Sequence, residues 1–183
     1  MTPSALEGSI KDIFAVIRSG VGLSSRVGAA SFLLEMIIER GNTLFTDVTL
    51  RRVFNVALDI SFGNAHKEQI LRAVASLLGA VFKCSDNFKG KHSIFLFVDT
   101  KQWVEKIRER VKGKETLFPF AVACSEVVRN VSEGSVRQEE GALLKPIYSL
   151  LFILKFTDEE ATRKQARRIA EIIEQRFPNY PVE

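Results

Sequence analysis

The sequence predicts a mainly α-helical protein, with about seven helices and one small β-hairpin near residues 80–98. Three observations favour this class. Apolar residues recur every three or four positions along most of the chain, residues that start or stop helices stand between these stretches, and one short aromatic run has the length of a strand. The 183 residues, 46% of them hydrophobic, are enough for a single compact domain over residues 1–183.

The first predicted helix lies between Pro3 and Gly20. Its apolar positions step by four, three and four and therefore share one helical face: Leu6, Ile10, Ile13 and Ile17. A second helix over residues 24–41 is apolar around most of its circumference, which is typical of a helix at the centre of a core. Glu35 falls on the one polar stripe of this helix, so we expect it to face solvent.

The third predicted helix starts at Thr46 or Asp47, because either side chain can accept a hydrogen bond from the first free amides of a helix. Gly63 is expected to end this helix in the left-handed conformation, which glycine adopts without a steric penalty. Asn64 is expected to be the N-cap of the fourth helix.

A β-hairpin is predicted after the fourth helix. Gly79 interrupts the apolar stripe of that helix, so the helix is expected to end near Leu78 and Ala80–Cys84 to form the first strand. Residues 85–91 have the composition of a turn, and residues 93–98 form an apolar run of strand length that is rich in Phe.

The remaining part of the chain, 100–177, is predicted to be helical. One amphipathic helix is followed by another at residues 116–131, and a very apolar segment runs over residues 146–156. Thr157 and Glu160 have the spacing of a capping box, in which each side chain accepts from the backbone of the other, and this predicts the start of the last helix.

The cysteines and the apolar runs limit the compartment. Cys84 and Cys124 are far apart in sequence, form no CxxC motif, and are expected to be buried thiols in a reducing compartment. The N-terminal segment contains Glu7 and Asp12 and lacks the apolar core of a secretory signal. The longest purely apolar run, Leu150–Leu154, is far shorter than the roughly 20 residues needed to cross a bilayer. We therefore expect an intracellular, cytoplasmic protein with no membrane partner.

Positive charge is concentrated in one part of the sequence. Nine lysines and arginines lie between Lys83 and Lys114 against four acidic residues, a local excess of +5 in a chain whose formal charge is +4. A localised positive surface raises the local concentration of polyanions. Together with the preceding helix, this stretch predicts a binding surface over residues 64–114.

Residues 24–98 follow the order helix, helix, helix, strand, turn, strand, which is similar to that of winged-helix domains. The resemblance implies that the fourth helix enters the major groove of DNA while the wing, with Lys89-Gly90-Lys91 at its tip, touches phosphates. It implies that the base-reading positions are His66, Lys67, Gln69 and Arg72, and that Lys83, Lys89 and Lys91 contact phosphate. Lys101 and Arg108 belong to the same basic stretch. The expected function is non-enzymatic nucleic-acid binding, with DNA favoured over RNA.

No catalytic, metal or cofactor site is predicted. The two histidines, His66 and His92, stand beside lysines rather than within a cluster of carboxylates or cysteines. The sequence contains no phosphate-binding loop, nucleophile elbow or dinucleotide fingerprint. The last helix is rich in cations, but its acids balance them, which favours an ordinary solvated face. These cations are Arg163, Lys164, Arg167, Arg168 and Arg176.

Three alternatives stay open at this point. The basic stretch is also typical of a solvated surface over an ordinary helical core. The segment 146–156 would serve as the subunit interface of a homo-oligomer if the protein is a helical interaction or self-assembly module, although such a segment is more often core. An enzyme would require a deep pocket that places His66 or His92 beside a carboxylate.

Overall fold

The computed structural model of the chain describes residues 2–64, 67–85, 100–131, 133–138 and 144–180. All regular secondary structure in these ranges is helical, which confirms the mainly α class. The chain divides into two compact units, Met1–Ser93 and Ile94–Glu183. The expectation of one domain over the whole chain stays a prediction.

The described residues of the first unit form four long helices: α1 (Pro3–Ser19), α2 (Leu23–Leu44), α3 (Asp47–Gly63) and α4 (Glu68–Ser85). Helix α1 packs on α2, and α3 packs on α4. The two resulting hairpins stack mainly through α2 and α4, whereas α1 meets α3 over a smaller area. Because the connections are short, consecutive helices run antiparallel and α2 is parallel to α4. The N-terminal ends of α2 and α4 therefore lie at the same end of this unit.

The predicted first helix and the start of the third are confirmed. The apolar face of α1 is buried at Leu6, Ile10 and Ile17. Thr46 is the N-cap of α3, where its hydroxyl accepts a hydrogen bond of 3.2 Å from the amide of Thr49. Glu35 is exposed on α2, as its polar stripe predicted.

The predicted first strand of the β-hairpin is wrong. Ala80–Cys84 form the last turns of α4, which continues through Gly79 to Ser85. The apolar stripe continues past the glycine, because Val81 is 0% exposed and Cys84 is 7% exposed. Burying those side chains outweighs the cost of about 1 kcal/mol for a glycine inside a helix. The winged-helix-like subregion 24–98 therefore lacks its first predicted strand, and residues 86–98 lie outside the described residues.

Three predictions about helix ends are also wrong. Gly63 is the last residue of α3, and among the described glycines Gly22 is the one in the left-handed region. Asn64 closes α3 instead of opening α4, because its side-chain amide donates to the carbonyl of Ile60 at 2.8 Å. Thr157 forms no capping box, since its hydroxyl donates back to the carbonyl of Leu154 at 3.0 Å. The last helix begins at Glu160, and the carboxylate of its N-cap, Glu159, accepts from the hydroxyl of Thr162 rather than from a backbone amide.

The second unit contains α5 (Thr100–Lys112), α6 (Phe118–Asn130), the short α7 (Glu133–Gln138), α8 (Lys145–Leu154) and α9 (Glu160–Arg176). Helix α9 packs mainly on α6 and also on α8. Two hydrogen bonds show that α6 and α9 are parallel. The Thr116 hydroxyl, before α6, donates to the Glu159 carboxylate at 2.7 Å, and the Arg176 guanidinium donates to the carbonyl of Val128 at 2.6 Å.

One face of the apolar segment 146–156 is core. The side chains of Ile147, Leu150, Leu151 and Leu154 are buried. Phe152 and Phe156 are large hydrophobic residues of the segment that are exposed, at 67% and 75%. Their rings are 5.2 Å apart in an edge-to-face arrangement.

Candidate nucleic-acid interface

The predicted binding residues are divided between the two units. Lys67, Gln69, Arg72 and Lys83 belong to the first unit and are exposed, and Arg108 is exposed on α5 in the second. Lys101 lies in the first turn of α5. His66, Lys89 and Lys91 lie outside the described residues. A single surface over residues 64–114 therefore stays a prediction.

The predicted residues of α4 share one outward face. Gln69, Arg72, Ser76 and Lys83 are all exposed, and their spacing places them along one stripe of the helix. Arg72 donates to the carboxylate of Glu68 at 2.5 Å, so its positive charge is compensated within the same helix. Among the described residues, no carboxylate pairs with Lys83, which is the available cation of the stripe, or with Lys67, which stands just before the helix.

Lys67 and Gln69 line an open cleft of about 630 Å³ at the N-terminal ends of α2 and α4. The other side of the cleft is formed by the turn before α2 and by its first residues: Gly20, Gly22, Leu23 and Arg26. The parallel packing of α2 on α4 brings these two helix starts together. Each helix start has a partial positive charge, because its first amide N–H groups point away from the helix without an intrahelical acceptor.

The start of α2 has no side-chain cap. Its N-cap is Gly22, which has a φ of 85° and makes no capping hydrogen bond. A positive φ of this size favours glycine over any residue with a β-carbon. The free amides at Leu23 and the following residues are therefore accessible to an external acceptor such as a phosphate oxygen.

Arg26 is held at the edge of this cleft by two neighbouring helix ends. Its Nε donates to the carbonyl of Ile17 at 2.7 Å, and its Nη2 donates to Oδ1 of Asn64 at 2.8 Å. A guanidinium has five N–H donors, so donors remain after these two bonds. The bonds fix the position of the charge before a ligand arrives, which reduces the conformational entropy lost on binding.

Glu68 is the one acid among the residues that line the described cleft. Its carboxylate is paired with Arg72, so among the described residues Arg26 and Lys67 are the cations of the cleft without an ion-pair partner. With two positive side chains and two helix starts, the cleft has the features of a phosphate-binding site.

The basic stretch of α5 is less available than its sequence suggests. Arg110 pairs with Glu115 at 3.0 Å, and its Nε donates to the carbonyl of Thr116 at 2.8 Å. Burial lowers the pKa of Arg110, and the neighbouring Glu115 acts in the opposite direction. Arg110 therefore stabilises the α5–α6 connection, and Arg108 is the exposed predicted cation of this helix.

The sequence did not predict the role of Arg26. It stands four residues after Gly22, on a helix that was interpreted as central to the core. A signal was present in the Gly20-Val21-Gly22 turn, which produces a helix start without a side-chain cap. The sequence could not predict that the start of α2 packs beside Lys67, because helices α2 and α3 lie between these two positions in the chain.

Both cysteines are buried thiols, as predicted. Burial raises the pKa of the Cys84 thiol, and it raises that of Cys124 to about 12. No group of three or more His, Cys, Asp or Glu side chains in the described ranges is arranged to hold a metal ion.

Neither the protein-family models, nor the curated proteins, nor the solved structures with which the chain was compared match it. Among the described helices, none combines the length and the apolar character that crossing a membrane requires.

Proposed function

We propose that the protein is a non-enzymatic nucleic-acid-binding protein that holds a backbone phosphate in the cleft between the starts of α2 and α4. One observation supports this more than any other: two helix N-termini, the fixed guanidinium of Arg26 and the exposed ammonium of Lys67 lie around one opening. Amides at helix starts and cationic side chains are both used for phosphate contacts in nucleic-acid complexes.

The exposed stripe of α4 extends this proposed contact surface. Gln69 is adjacent to the cleft, and Lys83 lies about four turns further along the same helix. The amide of Gln69 is suited to a base edge, since it has both a donor and an acceptor, and Lys83 is suited to a second phosphate. DNA remains the favoured nucleic acid, and the proposed location is intracellular.

The charge of the first unit is consistent with this partner. Residues 1–93 contain eleven lysines and arginines against eight acids, whereas residues 94–183 contain fifteen against fourteen. A net positive unit attracts a long polyanion, and the affinity depends steeply on salt because bound phosphates release counterions.

The proposal is tested by fluorescence anisotropy with labelled double-stranded and single-stranded DNA and RNA at two salt concentrations. Lys67→Glu is expected to weaken binding about tenfold and to reduce the slope of log K against log salt by about one phosphate contact. Lys11→Glu, the same change at an exposed position of α1 outside the cleft, is the matched control. Equal losses in the two variants, or no binding of any nucleic acid, would contradict the proposal.

The predicted phosphate contacts of Lys89 and Lys91 require a separate variant, because both residues lie outside the described ranges. Lys89→Glu/Lys91→Glu is expected to weaken duplex binding and to flatten its salt dependence. An unchanged slope would remove these two lysines from the proposed surface and leave the cleft as the contact.

Self-assembly is a second candidate function, favoured by the exposed pair Phe152 and Phe156. Aromatic side chains that are this exposed are typical of protein interfaces. Light scattering of the unchanged protein and of the variant Phe152→Ser/Phe156→Ser, over a range of protein concentrations, tests self-assembly. A concentration-dependent dimer that the variant loses would support assembly, and a strict monomer would contradict it.

A further inference from the structure

The second unit contains a separate basic groove between α6 and α9. Four cations line it: Arg129 at the end of α6, and Lys164, Arg167 and Arg168 on α9. Glu171, Ile172 and Gln175 complete the lining. On the sequence alone, the cations of the last helix were interpreted as a balanced solvated face. The packing of α9 beside α6 changes this, because it adds Arg129 and leaves one acid in the groove.

Two of these arginines have no ion-pair partner among the residues that the structure describes. Lys164 is 3.3 Å from the carboxylate of Glu160, and Arg129 is 3.6 Å from that of Glu126. Within the described part of the chain, no acid lies within ion-pair distance of Arg167 or Arg168. Arginine presents a planar fork of donors that pairs with two oxygens of a phosphate at once, so adjacent free arginines favour an oxyanion ligand.

The length and the openness of the groove favour an extended ligand. The lining residues from Lys164 to Gln175 follow one side of α9 for three turns, which is roughly 16 Å at about 1.5 Å per residue. Because α6 and α9 are parallel, Arg129 lies toward the Gln175 end, and Lys164 lies at the other end. The groove has cations toward both ends, and Ile172 and Gln175 add an apolar side chain and an amide. This arrangement suits a short peptide with phosphorylated side chains.

A long nucleic acid fits this groove less well than a short anion. Outside the groove, the sequence of residues 94–183 has eleven lysines and arginines against thirteen acids, a net negative balance. A long polyanion would extend from the groove over this surface. A short ligand with clustered phosphates contacts the four cations and ends before it reaches the acids outside the groove.

We propose that the groove formed by Arg129, Lys164, Arg167 and Arg168 binds a short peptide containing clustered phosphorylated residues. The phosphates pair with the guanidinium groups of Arg167 and Arg168, and Ile172 and Gln175 contact the rest of the peptide. This site is independent of the nucleic-acid cleft in the first unit, so either can fail without the other.

The probe is a fluorescein-labelled pool of short peptides with two phosphoserines at a fixed spacing and varied residues around them. The phosphorylated pool is expected to bind at least about tenfold more tightly than the same pool with unmodified serine. A difference of this size corresponds to the loss of one or more charged hydrogen bonds. Arg167→Glu/Arg168→Glu is expected to reduce this binding to the level of the unmodified pool, with an unchanged circular dichroism spectrum because both side chains are exposed.

The matched control is Lys112→Glu/Lys155→Glu, which makes the same charge change at exposed positions of the same unit outside the groove. It is expected to bind the phosphorylated pool within about twofold of the unchanged protein, since distant exposed charges are screened by salt. Arg167→Lys/Arg168→Lys keeps the charge but loses the planar fork, so intermediate affinity is expected.

Any of three results would overturn the inference. The first is equal binding of the two peptide pools, and the second is the same loss of affinity in both double charge reversals. The third is displacement of the peptide by single-stranded DNA that is as effective, at equal phosphate concentration, as displacement by unlabelled phosphopeptide. The last result would identify a general polyanion surface. The variant Lys67→Glu separates the two sites, because it is expected to lose DNA affinity while it retains the peptide.

Discussion

Gly41 of α2 lies directly against the thiol of Cys84 on α4. A β-carbon built at position 41 would overlap Sγ of Cys84, so the two helices approach each other here to a distance that permits no side chain. Both residues lie near the C-terminal ends of parallel helices. The contact therefore fixes the α2–α4 pair at the end opposite to the cleft, while the side chain of Arg26 ties α2 to its neighbours near the cleft.

The variant Gly41→Ala is expected to destabilise the protein by about 1–3 kcal/mol, because the added methyl group overpacks a buried contact. Chemical denaturation followed by circular dichroism measures this. Gly28→Ala is the matched control, since Gly28 is exposed inside the same helix and a β-carbon there meets no other atom. That change is expected to stabilise α2 by about 0.5–1 kcal/mol. An unchanged free energy of unfolding in Gly41→Ala would contradict the close approach. So would a loss of stability that the additional change Cys84→Ala does not partly restore.

The hydrogen bonds of Arg26 predict a second stability effect. Arg26→Ala removes a donor from both the Ile17 carbonyl and the Asn64 side chain, and a loss of about 1–3 kcal/mol is expected. Arg52→Ala is the comparison, because the 3.5 Å pair of Arg52 with Glu7 is exposed and such pairs contribute less than about 1 kcal/mol. Thermal unfolding in which the two variants lose the same stability would show that Arg26 is not held as described.

Much of the fold could be predicted from the apolar period alone. The apolar face of α1, the Thr46 cap and the exposed Glu35 all follow from local sequence, because three- and four-residue spacing determines which side of a helix is apolar. The end of α4 could not be predicted this way. Gly79 is a weak helix former, but the burial of Val81 and Cys84 against the neighbouring helices decides in favour of continued helix, and burial is a tertiary quantity.

The candidate sites were less predictable than the helices. Lys67 and Gln69 were predicted and do line the cleft, yet Arg26 joins them only because α2 and α4 pack in parallel. Arg72 was expected to read bases, and this stays a prediction, while its guanidinium pairs with Glu68 on the same helix. Net charge along a sequence does not show which cations are neutralised by neighbours one helical turn away.

Glu126 predicts a specific pH dependence of stability. Burial raises its pKa, and Arg129 and Asn130 oppose this only in part. A carboxyl group whose pKa is higher in the folded state stabilises that state while it is protonated. Its contribution is therefore complete below the ordinary glutamate pKa of about 4.3 and is lost as the pH rises through the folded value.

Glu126→Gln removes this ionisation. The stability of the variant minus that of the unchanged protein is therefore expected to increase as the pH rises from about 4 toward neutral. Urea denaturation at a series of pH values measures the difference directly. A constant difference, or one that decreases over this range, would show that the fold does not disfavour the ionised form of Glu126.

The most direct measurement on the cleft is a titration of isotope-labelled protein with a short DNA duplex, followed by amide chemical shifts. The largest changes are expected at the amides of Leu23 to Ser25, at the uncapped start of α2, and at those of Lys67 to Gln69 at the start of α4. Lys67→Glu is expected to reduce these changes at the same subsaturating DNA concentration. Shifts confined to other surfaces, with the amides of both helix starts unaffected at saturation, would contradict phosphate binding in the cleft.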